Sequence, residues 1–265
     1  MRTLLLLLLF LIGGFFIFFS FSSPKPTRKI TILSAEKKGL ASPRGTGKVW
    51  QDSVKADEGQ KGRVIRFHAY TPAPRPEEQF PVIIFVGGLN SSGAEATGGV
   101  WAAFADRHRF AIVAPWFLFD PEEWSERRSY QYPSAWSGEA MDSILDRAAQ
   151  HAPLDLDHLY LFGMSAGAQF VQRYALLRPE RCRAVAAHAA GGYTWPTASV
   201  PTTFLITVGS KDADRSAQAQ AFADAARRLG ISVELKVIEG LGHTLSTEQI
   251  HHSWNFFVKV KSNEM

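Results

Sequence analysis

The chain has 265 residues and a formal net charge of +4; 46% of its residues are hydrophobic and 20% are charged. These proportions are ordinary for a globular protein and exclude a disordered or fibrous chain. The positive excess gathers in Lys25, Arg28, Lys29, Lys37 and Lys38, against Glu36, so the rest is near neutral and lacks the charged face or stripe of a nucleic-acid binder.

The first segment is an apolar run over residues 4–21, broken only by Gly13, Gly14 and Ser20 and preceded by Arg2. Its length falls between the apolar core of a signal peptide, about 7–15 residues, and a full membrane span of about 20. Two readings of residues 1–23 therefore stand. One is a signal peptide, with Ser20-Phe21-Ser22 as a small-x-small cleavage pattern and Pro24 close behind it. The other is an N-terminal membrane anchor. More positive charge follows the run than precedes it, and positive flanks prefer the cytoplasm. Export to the periplasm or medium, external anchoring and a cytoplasm-facing anchor thus all remain open, and membrane attachment through this segment is one expected partner. A packed core helix is disfavoured, because the run has no polar face to turn outward.

Residues 24–60 are rich in Lys, Gly, Ser and Pro. They read as a linker or irregular lead-in, with at most short edge strands around 30–33 and 48–51. A catalytic domain is expected over 61–262. Strand-like runs fall at 63–70, 81–86, 110–114, 158–162, 183–188, 203–208 and 232–238. Helical stretches fall at 99–108, 138–150, 166–177, 214–229 and 247–260. Such alternation indicates βαβ units and a mostly parallel sheet flanked by helices. The short, near-continuous apolar strands fit burial on both faces.

The loop over 115–137 carries Trp116, Phe117, Phe119, Trp124, Tyr130, Tyr132 and Trp136. It reads equally as a substrate wall or as a hydrophobic cluster pinning a long loop. The connection over 189–202 is too short for a separate lid domain.

The single cysteine, Cys182, forms no internal disulfide and reads as a small residue near the core. Asp155, Asp157 and His158 enter a strand, where turn chemistry accounts for them better than a metal cluster does. No Cys/His set has zinc-finger spacing, so no metal and no cofactor are expected.

The sharpest chemical feature is Gly163-Met164-Ser165-Ala166-Gly167, which follows the apolar run LYLF and opens the helical run AQFVQRYALL. This is G-x-S-x-G between a strand and a helix. A sharp turn exposes the serine above the sheet, and the flanking glycines let helix and strand approach. The helix N-terminus aims N–H groups at the place where negative charge develops. Serine is a weak nucleophile without a base, and the base needs an orienting acid. Asp212 follows the run TFLITV and His243 follows VELKVI. Each lies at the C-terminal end of a strand, where open α/β sheets place their sites.

Asp214 competes for the acid's role, although its place suits the first turn of the next helix better. His188 ends a strand and reads as a buried, hydrogen-bonded histidine in preference to a pocket residue. His251 and His252 read as a solvated helix face.

From about residue 63 to 260 the chain resembles the α/β-hydrolase superfamily. The segments PVIIFVGGLNSSG, FADRHRFAIVAP and LYLFGMSAGAQFVQRYALLRPERCRAVAAHAAG more loosely resemble its polyhydroxybutyrate-depolymerase and feruloyl-esterase-like group. The resemblance implies an α/β-hydrolase fold without a lid domain, with Ser165, Asp212 and His243 after the fifth, seventh and eighth strands. It also implies an oxyanion hole from the backbone N–H groups of Leu89 and Ala166. Many relatives have His-Gly where this chain has Gly87-Gly88. The donors are backbone groups, so that change alone does not abolish the hole.

The expected activity is serine hydrolysis of a small-molecule or polymeric carboxylic ester. Peptidase, thioesterase and acyltransferase chemistry would use the same residues, and a non-catalytic binder on the same fold is the contrasting reading. A nucleotide site at Gly87-Gly88 or Gly191-Gly192 is weak, since neither forms a phosphate-binding glycine pattern in register.

Overall fold

A computed structural model describes residues 45–55 and 62–263. The apolar run over 4–21, the two readings of residues 1–23 and the edge strand expected around 30–33 lie outside these. Among the described residues, no helix is long and apolar enough to cross a membrane.

Eight strands form one sheet: β1 (Lys48–Lys55), β2 (Val64–Thr71), β3 (Phe80–Val86), β4 (Ala111–Pro115), β5 (Leu154–Met164), β6 (Cys182–His188), β7 (Thr203–Gly209) and β8 (Val233–Ile238). Their spatial order is β1-β2-β4-β3-β5-β6-β7-β8. β2 runs antiparallel to β1 and to β4, and every other pairing is parallel. The parallel strands β3 and β4 are buried throughout and β6 at all but Arg183, and all three are apolar along most of their length. Burial on both sides requires that composition.

The helices are α1 (Gly99–His108), α2 (Pro121–Ser125), α3 (Gly138–Ala149), α4 (Ala166–Leu177), α5 (Ala213–Arg228) and α6 (Thr247–Asn263). One hydrophobic core joins the sheet to α3, α4 and α5, through residues such as Ile144, Phe170 and Phe222. The other joins it to α1 and α6, through Trp101, Phe104 and Phe257. The α/β architecture expected from the alternation is therefore present, with the sheet between two helical layers.

The sheet begins earlier than the lead-in over 24–60 suggested. The short edge strand expected around 48–51 continues to Lys55 and pairs with β2 over its full length. Its outward residues are exposed and its inward ones, Trp50, Asp52 and Val54, are half-buried. A strand with one wet face and few apolar residues looks like a linker in sequence.

The aromatic loop divides. Phe117, Tyr130 and Trp136 are buried in the core that contains Phe170, and Phe117 lies 5.1 Å from the Phe170 ring. Trp124 and Tyr132 pair with each other at 5.5 Å nearer the surface. Asp120 caps α2 by accepting from the Glu122 and Glu123 N–H groups, and Pro121 is suited to the first helical position.

Candidate active site

Ser165 stands between β5 and α4 with φ 56° and ψ −112°. A non-glycine residue at positive φ stores strain, of order 1–3 kcal/mol, that its surroundings must hold. They do so through backbone contacts. The Ser165 N–H donates to the His188 carbonyl at 2.8 Å, tying the turn to the end of β6. A β-carbon on Gly163 would come within 2.5 Å of the Gly167 carbonyl oxygen, and one on Gly167 within 2.0 Å of the Val86 carbonyl oxygen. Both glycines are thus required by the close approach of α4 to β5 and β3.

That approach also places the start of α4 beside the segment after β3, since the same Gly167 β-carbon would meet the Gly87 carbonyl oxygen at 2.4 Å. Leu89 follows in a turn closed by the Ser91 N–H donating to the Gly88 carbonyl at 3.1 Å, and is 42% exposed. Ala166 opens α4, where first-turn N–H groups lack intrahelical partners.

His243 arrives by a similar device. Gly209 ends β7, and a β-carbon there would lie 2.1 Å from the Leu241 carbonyl oxygen. The loop after β8 rests on this glycine. The Lys211 N–H donates to the Leu241 carbonyl, and the Gly240 N–H to Ser210 Oγ, both at 2.9 Å. His243 is thereby brought over the end of β7 beside Asp212.

The three side chains form a relay. Ser165 Oγ lies 2.9 Å from His243 Nε2, and His243 Nδ1 lies 3.0 Å from Asp212 Oδ2. A carboxylate only accepts, so Nδ1 carries the proton toward Asp212 and Nε2 is left to accept from the serine hydroxyl. Asp212 precedes α5 but makes no capping hydrogen bond. Its other oxygen, Oδ1, accepts from Arg215 Nη1 at 2.9 Å. This arginine is a residue that the sequence reading missed. Burial lowers the pKa of His243, the Arg215 charge lowers it further, and Asp212 opposes both. The neutral imidazole is the form able to accept a proton.

The rival residues lie elsewhere. Asp214 is exposed in the first turn of α5. His188 is fully buried, with Nδ1 2.7 Å from Thr207 Oγ1 and Nε2 2.9 Å from Ser253 Oγ. Burial pushes its pKa down to about 3, so it stays neutral and structural. His252 lies 3.3 Å from Glu248 along α6, and His251 packs on Trp254. Asp155 accepts from the Asp157 N–H at 3.1 Å and lies 2.7 Å from His158 Nδ1. Cys182 is buried, which raises the pKa of its thiol.

Residues 81–249 match the model of the alpha/beta hydrolase fold family. No curated protein sequence matches the chain. Among solved structures, the chain is similar to a poly(3-hydroxybutyrate) depolymerase from Bordetella parapertussis, with 24% identity and a TM-score of 0.59, covering 83% of this chain and 90% of that one. It is also similar to a ferulic acid esterase from Anaeromyces mucronatus, with 16% identity and a TM-score of 0.61, covering 86% and 92%. An S-formylglutathione hydrolase from Agrobacterium tumefaciens has 16% identity and a TM-score of 0.60, covering 83% and 96%. At these identities the likeness is one of fold.

Proposed function

The chain belongs to the alpha/beta hydrolase fold family, and from that premise we propose that it is a serine hydrolase that cleaves carboxylic esters through an acyl-enzyme. The observation that carries this reading is the relay from Ser165 Oγ through His243 to Asp212, at 2.9 and 3.0 Å. The esterase and depolymerase names of similar structures point to the same substrate class.

In the proposed cycle, His243 Nε2 takes the serine proton as Oγ attacks the ester carbonyl carbon. The developing imidazolium is held by Asp212 Oδ2. The carbonyl oxygen becomes an oxyanion, stabilised by the N–H groups of Leu89 and Ala166. The intermediate collapses, His243 returns the proton to the departing alcohol, and an acyl-Ser165 remains. Water, deprotonated by His243, then releases the acid and restores the serine.

The test is ester turnover with labelling by a fluorophosphonate probe. Wild type should label at Ser165 and hydrolyse a short aryl ester. Ser165→Ala should lose labelling and at least about 10³-fold in kcat. Near-wild-type turnover in Ser165→Ala would remove the proposal, and a folded wild type that neither labels nor turns over any ester would favour a binding protein.

A further inference from the structure

Beside the relay, α4 presents two polar side chains that acyl transfer does not use. Gln169 follows Ser165 by one helical turn and is 6% exposed, with Oε1 buried and, among the described residues, without a hydrogen-bond partner. Its Nε2 lies 2.9 Å from where a β-carbon on Gly191 would sit, so the amide packs directly against this glycine. Oxygen and nitrogen of such an amide exchange by a simple flip, so the NH2 end can be turned to this space as a donor.

Arg173 lies one turn further. Nη1 donates to the Gln131 carbonyl at 2.7 Å, Nε donates to Thr194 Oγ1 at 3.2 Å, and the guanidinium lies 4.2 Å over the Tyr132 ring. Among the described residues no carboxylate pairs with it, in contrast to Arg215, whose charge faces Asp212. Burial pushes its pKa down, the Tyr132 hydroxyl opposes this, and the nearby Arg127 adds to the fall. A cation partly withdrawn from water and left without a counter-charge is costly.

These groups converge. Arg173 Nη2 and Gln169 Oε1 each lie 3.7 Å from the place a β-carbon on Gly192 would take, and the Gln218 amide, which can flip in the same way, lies 3.8 Å from it. We propose that the space over Gly191 and Gly192 is an anion subsite, in which Arg173 and the Gln169 amide bind a carboxylate carried by the ester substrate. This rests on the hydrolase reading and narrows it to esters with a free acid group. Gln169 and Arg173 stand roughly 6 and 12 Å along the helix from Ser165. The carboxylate is therefore several bonds from the scissile carbonyl, at about 1.2 Å of extended reach per bond.

The experiment compares 4-nitrophenyl monoesters of adipic and suberic acid with 4-nitrophenyl hexanoate and octanoate. The hexanoyl ester of 6-hydroxyhexanoate, set against hexyl hexanoate, places the carboxylate on the alcohol side instead. At least one acidic ester should exceed its neutral counterpart about 10-fold in kcat/KM, and added salt should shrink the margin. The pair that shows the preference identifies which portion of the substrate bears the acid. Arg173→Gln should abolish the ratio and Arg173→Lys should retain part of it. Gln169→Glu, which places a negative charge in the same space, should turn the preference toward the neutral ester.

No preference in wild type, or a preference unchanged in Arg173→Gln and Gln169→Glu, overturns the subsite. Calorimetric titration with adipate separates this outcome from the chemistry. If no ester turns over, adipate binding that disappears in Arg173→Gln supports the subsite and its absence overturns it, whereas Ser165-independent turnover counts against the hydrolase reading alone.

Discussion

The parallel half of the sheet, β5 to β8, and its antiparallel edge, β1 and β2, share one hydrogen-bonded framework but face different surroundings. β6 and β7 are buried almost throughout, and their ends meet the loops that hold Ser165, Asp212 and His243. β1 alternates exposed and half-buried residues, and packs Trp50 5.7 Å from Phe67 and 4.9 Å from His151. The first region uses stability to hold a strained serine and a set of close backbone contacts. The second closes the core and takes no part in the proposed chemistry. Activity and stability should therefore respond separately to substitution in the two regions.

The largest effect is expected at Asp212→Asn. The amide keeps the shape but favours the wrong imidazole tautomer, so kcat should fall by about 10⁴-fold. Folding should lose less than about 1 kcal/mol, the worth of a partly exposed ion pair with Arg215. Steady-state kinetics and urea unfolding on the same preparation measure both. A loss of several kcal/mol in folding would show that the relay also holds the fold together, and the division between regions would fail.

Trp50→Ala should do the reverse. Trp50 is half-buried and its Nε1 donates to Thr71 Oγ1 at 3.3 Å. Its removal should cost about 1–3 kcal/mol, below the range for a fully buried tryptophan. The kcat/KM of the folded fraction should stay within about twofold. A large drop in kcat/KM would tie the edge to the site.

The same contrast governs what the sequence made legible. Where both faces of a strand are buried, as in PVIIFV and TFLITV, the apolar run marks the strand directly. Where one face meets solvent, as in KVWQDSVK, the pattern fades into the lead-in. In the site, Ser165 was legible because the close approach of helix and strands around it demands glycines at fixed spacing. Asp212 and His243 were legible because each follows a strand. Arg215 was not, although it lies three residues beyond Asp212. Its role depends on which way the carboxylate turns, with Oδ1 toward Arg215 and Oδ2 toward His243, and spacing along the chain does not fix that. The aromatic loop was ambiguous for a related reason: composition could not say that Phe117, Tyr130 and Trp136 point inward while Trp124 and Tyr132 do not.

The smallest expected effect sharpens the comparison within the site itself, at Arg215→Gln. In the proposed cycle neutral His243 is the form that accepts the serine proton, so kcat/KM should rise as pH increases through the His243 pKa. Burial and the Arg215 charge both hold that pKa below the ordinary value of 6.5. The cation disfavours a second positive charge on the imidazole, and removing it favours the imidazolium. The acid limb of the profile should therefore move to higher pH in Arg215→Gln, by less than about one unit for a partly exposed cation. At a pH well above both limbs, kcat should change only a few-fold, because Asp212 Oδ2 still faces His243 Nδ1. A limb that moved to lower pH would mean that Arg215 serves chiefly to hold Asp212 against His243, since loss of that carboxylate contact is the change that lowers the imidazole pKa. An unmoved limb with a large fall in kcat would assign Arg215 to the geometry of the relay and not to its charge.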